Sequence, residues 1–278
     1  MLRFRNSHRM MGWLAGSLGM VLALPYTANS QASKPALDLT GVWDRPPITT
    51  GSSAGASAGA PGGGSAAANP AANRPRGVGP DGVPFFGFTV DEPPMTSWAA
   101  EKYKAARSGP SMKPYDKGID ELDPMISCFP SGPTRIYTIP RPFQIYQFPD
   151  HVLIVYEWDH WVRRIYTDGR GHPDGYLFTW MGHSIGKWDG DALVVDTVDI
   201  NENSWIDTLG HPHSDALHLV ERYRRVNHDT LQIEFTFDDP KAYTKPWTGK
   251  KTFYLRPPGY EIMEHAICED WLEMGKKR

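Results

Sequence analysis

Several features that often reveal a function are scarce in this sequence, and each scarcity excludes a class of protein. The 278 residues have a formal net charge of −3, and the lysines and arginines are scattered rather than grouped in stripes. Without such a basic surface we exclude nucleic acid as a partner. No βαβ rhythm is present, which tells against a parallel α/β fold. A Gly-x-Ser-x-Gly elbow is also absent, which tells against a serine hydrolase.

Cysteine is nearly absent, since the chain has only 2, Cys128 and Cys268. In an oxidising compartment an isolated pair of this kind favours one disulfide bond. Closing so long a loop would stabilise the fold by about 4 to 5 kcal/mol in the chain-entropy model. A catalytic or metal-binding thiol is the alternative interpretation.

The sequence lacks an apolar run long enough to cross a membrane. Residues 12–26, GWLAGSLGMVLALPY, contain a proline and are shorter than the roughly 20 residues that a spanning helix needs. Arginines precede this run and the small residues TANSQA follow it, a pattern typical of an export signal. We therefore predict a signal peptide over residues 1–30, a periplasmic or extracellular location, and no membrane span after cleavage.

Glycine, alanine, serine and proline are concentrated between residues 49 and 77. Such a composition buries too little apolar surface to offset its ordering entropy, so we predict a disordered segment there. It separates residues 37–48, predicted to hold the first strand of a barrel, from residues 78–278. The latter are predicted to hold a covering segment over residues 80–95, one short peripheral helix in TSWAAEKYKAARSG with Thr96 or Ser97 as N-cap, and the barrel.

From Thr134 onward, short alternating runs broken by turn residues predict an antiparallel meander. The runs are TRIYTIP, FQIYQF, VLIVYEW, VRRIYT, GYLFTWM, ALVVDT, LHLVERYRRV, LQIEFTF, KTFYLR and YEIMEHAI. In LQIEFTF, alternate residues from Leu231 to Phe237 are apolar, so one face is core and the other is solvent. We predict a mainly β fold in which eight to ten strands close into a barrel. Side chains would fill its interior, or one small ligand would occupy it.

Two resemblances accompany this pattern. LTGVW at 39–43 resembles the Gly-x-Trp opening strand of calycin-type barrels, the lipocalins and their relatives, although YTDGR at 166–170 departs from the Thr-Asp-Tyr turn of true lipocalins. Residues 37–48 and 91–270 are similar to a group of uncharacterised exported bacterial proteins. That similarity rests on CFPSGPTR, TDGRGHP, MGHSIGKWDGDALVVDT, HPHSDALHLVERYRR and AICED, and it carries no assigned reaction.

Histidine is the most informative residue type, because most of the ten histidines lie between 151 and 218, several beside carboxylate or serine residues. TWMGHSIGKWDGDALVVDT is predicted to be a hairpin with His183 near the barrel mouth and Asp196 across from it. In GHPHSDALHLVE, His213 lies two residues before Asp215. A carboxylate that orients an imidazole is the recurrent arrangement of a general base. The candidate catalytic residues are therefore His183, Asp196, His213 and Asp215.

Aromatic and further histidine side chains are candidates for binding a ligand. An apolar or aromatic compound would fit a pocket lined by tryptophan. The candidate ligand-binding residues are Trp180, Trp188, Trp205, His172 and His218. In the alternative interpretation the tryptophans belong to the core, and the histidines and aspartates of the loops satisfy backbone groups.

A third interpretation involves a metal. His211-Pro-His213 followed by His218 resembles the first cupin motif, in which histidines and an acidic residue hold iron, manganese or zinc. His218 stands where the cupin glutamate is expected, and Pro212 interrupts the strand, so we assign no metal ligand and no cofactor.

These observations support two main hypotheses and one further alternative. The first is an exported, cofactor-independent enzyme, such as an isomerase, lyase or hydratase, that moves protons on a small apolar or aromatic molecule. His183 would be the acid or base, with His213 as second proton carrier or oxyanion donor. The second is a non-catalytic barrel that binds such a molecule, and the further alternative is a cupin-like metal-dependent enzyme. The patterns do not specify an oligomeric state.

Overall fold

A computed structural model shows the barrel and the segments that pack on it. The described residues are 38–46, 78–79, 82, 84–106, 123–264 and 268. The predicted signal peptide over residues 1–30 and the predicted low-complexity segment over residues 49–77 lie outside them.

Nine β-strands form a closed barrel whose strand order follows the chain. The strands are β1 (Gly41–Asp44), β2 (Phe143–Gln147), β3 (His151–Tyr156), β4 (Val162–Tyr166), β5 (His183–Asp189), β6 (Ala192–Val198), β7 (His218–Asn227), β8 (Thr230–Asp238) and β9 (Trp247–Leu255). β1 pairs with both β2 and β9, which closes the sheet. The predicted barrel of eight to ten strands is confirmed, and β5 and β6 form the predicted hairpin.

One neighbouring pair, β4 and β5, is parallel, whereas the others are antiparallel. The prediction of a strand in GYLFTWM, residues 175–181, is wrong, because this segment is part of a crossover that joins the two parallel strands. Within it, the Thr179 N–H donates to the Asp199 carbonyl at 3.0 Å, and Gly182 turns the chain into β5 with a φ of 66°. Both faces of the run are apolar, so it lacks the one-sided pattern that fixes a strand in register.

Two further strand predictions also fail. TRIYTIP, at 134–140, lies in a short helix α2 (Gly132–Arg135) and a 3₁₀ turn (Ile136–Thr138). A proline in the first turn of α2 favours helical φ, and burial of residues 134–139 overrides the β-propensity of the branched residues among them. YEIMEHAI was assigned to 260–267, but residues 260–264 form no strand and the remainder lies outside the described residues.

The barrel interior is filled by side chains. On β8, Leu231, Ile233, Phe235 and Phe237 are completely buried, so the predicted core face of this strand is confirmed. Phe88, from the covering segment, packs on this part of the barrel with its ring 4.6 Å from that of Phe235. Inward-facing residues of the other strands join the same hydrophobic cluster.

A polar network also lies inside the barrel. Arg163 Nη1 donates to Glu221 Oε1 at 2.9 Å, and Arg163 Nη2 donates to Glu221 Oε2, so the pair is bidentate. Tyr223 donates to Glu221 Oε1 at 2.9 Å, and the hydroxyls of Tyr137 and Tyr156 extend the chain at 2.9 and 2.8 Å. Burial raises the pKa of all three tyrosines well above 10.0. The remaining guanidinium hydrogens reach the hydroxyls of Ser184 and Thr197.

The predicted peripheral helix is present as α1 (Ser97–Ala106). Thr96 is its N-cap, because its hydroxyl accepts from the Ala99 N–H at 3.3 Å and also donates to the Lys241 carbonyl at 2.9 Å. Among the described residues, no helix combines the length and the apolar character needed to span a bilayer.

Two contacts fasten the segments outside the barrel. Lys251 of β9 donates to backbone carbonyls of the covering segment, at 2.6 Å to Pro84 and 2.5 Å to Gly87. Cys128 and Cys268 form the predicted disulfide with Cα atoms 5.4 Å apart. Cys268 lies beyond the end of β9 rather than within a last strand. The bond therefore ties the segment before β2 to the chain that follows the barrel.

Candidate functional site

Three adjacent strands present predicted site residues on the outer face of the barrel. His183 begins β5, Asp196 lies in β6 and His218 begins β7. Their chain neighbours point into the core, so strand alternation directs these three side chains outward. The buried neighbours are Ser184, Val195, Thr197 and Leu219. Asp196 pairs with Ile185 of β5 and Val220 of β7, which places it diagonally between the two histidines.

A fourth predicted residue, His172 of the β4–β5 crossover, completes a hydrogen-bonded chain. His172 Nδ1 lies 2.8 Å from His183 Nδ1, and its Nε2 lies 3.4 Å from Asp196 Oδ1. The same carboxylate oxygen is 2.8 Å from His218 Nε2. We call His183, His172, Asp196 and His218 the histidine relay. The structure brings together four of the nine residues predicted to be catalytic or ligand-binding.

The partners of the relay define its tautomers. An ionised carboxylate only accepts hydrogen bonds, so His172 Nε2 carries the hydrogen that faces Asp196. In neutral His172 the lone pair is then on Nδ1, and the Nδ1–H of His183 donates to it. Because Nδ1 of His183 carries its hydrogen, the lone pair of neutral His183 is on Nε2. This is the arrangement of an oriented general base.

The surroundings of His183 keep it neutral. Its side chain is 6% exposed, with the Tyr166 ring stacked at 5.5 Å and the Tyr176 ring edge-on at 4.9 Å. Burial lowers the pKa of His183 below 6.5, and electrostatic interactions with His172 and Arg170 lower it further. A neutral imidazole at neutral pH can accept a proton. Neither tyrosine was predicted as a site residue, although both lie in runs that were predicted to be strands.

An apolar surface adjoins the relay. Tyr176, Leu177 and Phe178, which we call the aromatic loop, are all exposed, and Leu177 is 80% exposed. Tyr176 contacts His183, so the aromatic loop borders the histidine relay. Exposed apolar residues in a contiguous group are typical of a binding surface.

The cupin-like histidines diverge rather than surround one point. His211 Nδ1 lies 2.7 Å from Asp207 and its Nε2 lies 3.0 Å from Glu92, whereas His213 and His218 contact other groups. Burial favours neutral His211, but the two carboxylates outweigh it and raise its pKa to about 9. Among the described residues, no group of three or more histidine, cysteine, aspartate or glutamate side chains could hold a metal ion.

His213 does not join His183. Its Nε2 lies 2.9 Å from Ser204 Oγ, and its Nδ1 lies 3.0 Å from the Ser214 carbonyl, at a pocket of about 380 Å³. Asp215, the predicted orienter of His213, is instead exposed and paired with Lys241 at 2.5 Å. Ser204 was not predicted, and its sequence context, NENSW, gives no signal for it.

The three predicted ligand-binding tryptophans lie in three different places. Trp188 packs against the hydrophobic core, and Trp180 contacts Phe129 at 5.5 Å. Trp205 lines the same pocket as His213. They do not form one shared aromatic wall, because Trp180 precedes β5 in the crossover whereas Trp188 lies at its far end.

Comparisons of this chain with protein-family models, with curated proteins and with solved structures found no significant match. The closed nine-stranded barrel is compatible with the resemblance to calycins. The resemblance to exported bacterial proteins stays a prediction.

Proposed function

We propose that this protein is an exported β-barrel enzyme that moves protons on a small, mostly apolar or aromatic molecule at the histidine relay. The observation that carries this proposal is the hydrogen-bonded chain from His183 through His172 to Asp196, which also contacts His218. An imidazole with a purely structural role would need only one hydrogen-bond partner. Two imidazoles contact the carboxylate of Asp196 and a third contacts one of those imidazoles, which forms a path along which a proton can move.

The relay gives each member a role in such a reaction. His183 Nε2 removes a proton from a carbon or hydroxyl of the substrate. The resulting imidazolium is stabilised through His172 by the carboxylate of Asp196. His218, with 43% of its side chain exposed, exchanges the proton with water. Isomerisation or elimination would follow if a relay histidine returned the proton at another atom of the substrate.

The aromatic loop supports an apolar or aromatic substrate. Tyr176 touches His183, and Leu177 and Phe178 extend the apolar surface into solvent. A flat molecule on this surface would place its reacting atom beside the base. The chemistry uses these side chains alone and needs no cofactor.

Two observations support an exported location. The disulfide between Cys128 and Cys268 is of the kind that persists in oxidising compartments. The basic, then apolar, then small-residue pattern of residues 1–30 agrees with it.

A non-catalytic binding protein is the second candidate, and the exposed aromatic loop favours it. Since side chains fill the barrel interior, the ligand would bind on the outer face rather than inside. Both candidates use the same surface, so proton transfer is the property that separates them.

The test measures proton exchange directly. The purified protein is incubated in D₂O with small aromatic ketones and 2-oxo acids such as phenylacetone and phenylpyruvate, and NMR follows deuterium entering the position beside the carbonyl. We expect exchange above the buffer rate for at least one of them, with a loss of roughly 100-fold in Asp196→Asn, since an oriented base contributes on that order.

Asp191→Asn is the matched control. Asp191 belongs to the same hairpin as Asp196 but pairs with Arg224 and touches no histidine. Exchange should be unchanged in this variant. Exchange that survives Asp196→Asn would refute the relay, and binding without exchange across the panel would favour the non-catalytic candidate.

A further inference from the structure

A second group of polar side chains lies away from the relay, at the pocket of about 380 Å³ between α1 and the loop before β7. Ser204 and His213 both line it, and both are almost completely buried. Apolar residues make up much of the remaining wall. They are Ala105, Ala106, Pro124, Trp205 and Pro212.

The hydrogen bonds of His213 define which atom donates. Its Nδ1–H donates to the Ser214 carbonyl at 3.0 Å, because a carbonyl oxygen only accepts. His213 Nε2 therefore carries the lone pair, and the Ser204 hydroxyl donates to it at 2.9 Å. The alternative acceptor for that hydroxyl, the Asn201 carbonyl, is farther away at 3.4 Å.

Close packing against Gly132 also restricts the position of the Ser204 side chain. Gly132, with a φ of 75°, lies so close that a Cβ atom there would be 2.8 Å from Ser204 Oγ. A side chain at position 132 would displace the hydroxyl, and an L-residue would be strained at this φ. The serine is thus fixed between a glycine and an imidazole, with the pocket in front of it.

From this geometry we infer that the pocket is a second catalytic site, in which Ser204 is a nucleophile and His213 its general base, for carboxylic esters with a small apolar acyl group. The same two-residue arrangement occurs on unrelated folds, so it does not require the Gly-x-Ser-x-Gly elbow that is absent from this sequence. The Ser214 carbonyl takes the place of the orienting carboxylate.

The reaction would run in two displacement steps. Ser204 Oγ forms a bond to the carbonyl carbon while its proton passes to His213 Nε2. The tetrahedral intermediate then expels the alcohol, which takes the proton from His213. Water, activated by the same nitrogen, attacks the acyl group and releases the carboxylic acid and Ser204. Lys102 also lines the pocket, and its positive charge would favour the negatively charged tetrahedral intermediate.

Burial of His213 favours its neutral, basic form. Burial lowers its pKa below 6.5, and the charge of Lys102 acts in the same direction. The Ser214 carbonyl and the carboxylates of Asp239 and Glu202 oppose this without reversing it.

The experiment uses a fluorophosphonate probe and p-nitrophenyl acetate on the full protein. We expect one phosphonyl adduct per chain, located by peptide mass spectrometry at Ser204, and hydrolysis of the ester. Ser204→Ala should abolish both, and His213→Gln should slow labelling by roughly 100-fold. Ser131→Ala is the matched control, because Ser131 is equally buried but contacts Met125 rather than a histidine.

The wild-type protein alone also tests the inference, in case the variants fail to fold. The labelling rate should rise with pH to a plateau, with a midpoint below 6.5, because the base is neutral His213. A rate that keeps rising tenfold per pH unit to pH 9, as for an ordinary hydroxyl, would overturn the inference. So would an adduct at another residue, no adduct, or labelling unchanged in His213→Gln. The Asp196→Asn variant should label normally, which separates this site from the histidine relay.

Discussion

The sheet from β4 to β7 carries two polar clusters of opposite character, one on each face. On the inner face of β4 to β7, Arg163 and Glu221 are completely buried and are linked by a bidentate pair. On the outer face, Asp196 is 42% exposed and its contact with His172 is long, at 3.4 Å. Strand alternation separates the two clusters by a single residue step.

The difference lies in what each cluster can exchange with its surroundings. The inner network is satisfied by its own members, so it gives specificity to the core and has no access to a substrate. Asp196 and His218 of the outer relay are partly exposed, and in the proposed function this exposure lets the relay exchange protons with water. Residue type alone does not distinguish the two, since both combine cationic or imidazole groups with a carboxylate.

Removing one member of the inner pair should have the largest effect. Arg163→Met leaves the Glu221 carboxylate buried without a positive counter-charge, and we expect the free energy of unfolding to fall by about 3 to 5 kcal/mol. Denaturant titration measures it. Combining this change with Glu221→Leu should restore much of the loss, because the uncompensated charge is gone. A single variant as stable as the wild type would show that water reaches the barrel interior.

His211 offers an intermediate case, a buried charge with one partly exposed partner. Its pKa of about 9 in the folded protein exceeds 6.5, its ordinary value. The stabilisation is therefore complete below pH 6.5 and is lost as pH rises through 9, by up to about 3 kcal/mol. Unfolding titrations at several pH values measure this slope. His211→Gln should remove it, and an unchanged slope in that variant would contradict the assignment.

On the outer face, His183→Ala should cost less than either change. Its side chain is buried between Tyr166 and Tyr176 and has a hydrogen bond to His172, so we expect a loss of about 1 to 2 kcal/mol in stability. Proton exchange should be abolished. A loss as large as that of Arg163→Met would mean that His183 is part of the structural core.

The smallest effect on stability is expected for Asp196→Asn. This residue is half exposed and an amide can still accept a hydrogen bond from His218, so the free energy of unfolding should change by less than about 1 kcal/mol. A melting curve close to the wild type, together with lost exchange, would show the contrast between the two faces most sharply. A large loss of stability would instead place Asp196 among the structural residues.

Much of the fold could be predicted because its signals are local. Alternation in LQIEFTF defined the core face of β8, and Thr96 with the helix formers after it defined the start of α1. The failures have a common cause. TRIYTIP and GYLFTWM contain residues that favour strands, but burial against other segments, or the need for a crossover between parallel strands, decided their conformation.

The sequence predicted which residues belong to the candidate site, but it predicted their arrangement in space only in part. His183 and Asp196 were expected to face each other across a hairpin, and register does place them on one face. The pairing of His213 with Ser204 and of Asp215 with Lys241 depends on the path of the loop between β6 and β7. Proximity in the sequence suggested the pair His213–Asp215 instead. Proximity of this kind contains no information on the geometry of the loop.

The short strand β1 has a consequence for the order of events during folding. It is made before every other strand, yet it pairs with β2 at one edge and, through Trp43 and Leu255, with the last strand at the other. The cylinder cannot close until residue 255 has been synthesised, so a newly made chain carries two open strand edges for that whole time. Long-range closure of this kind is slow, and open edges invite pairing with other chains. The chain is therefore most open to pairing with other chains just before β1 pairs with β9 and closes the barrel.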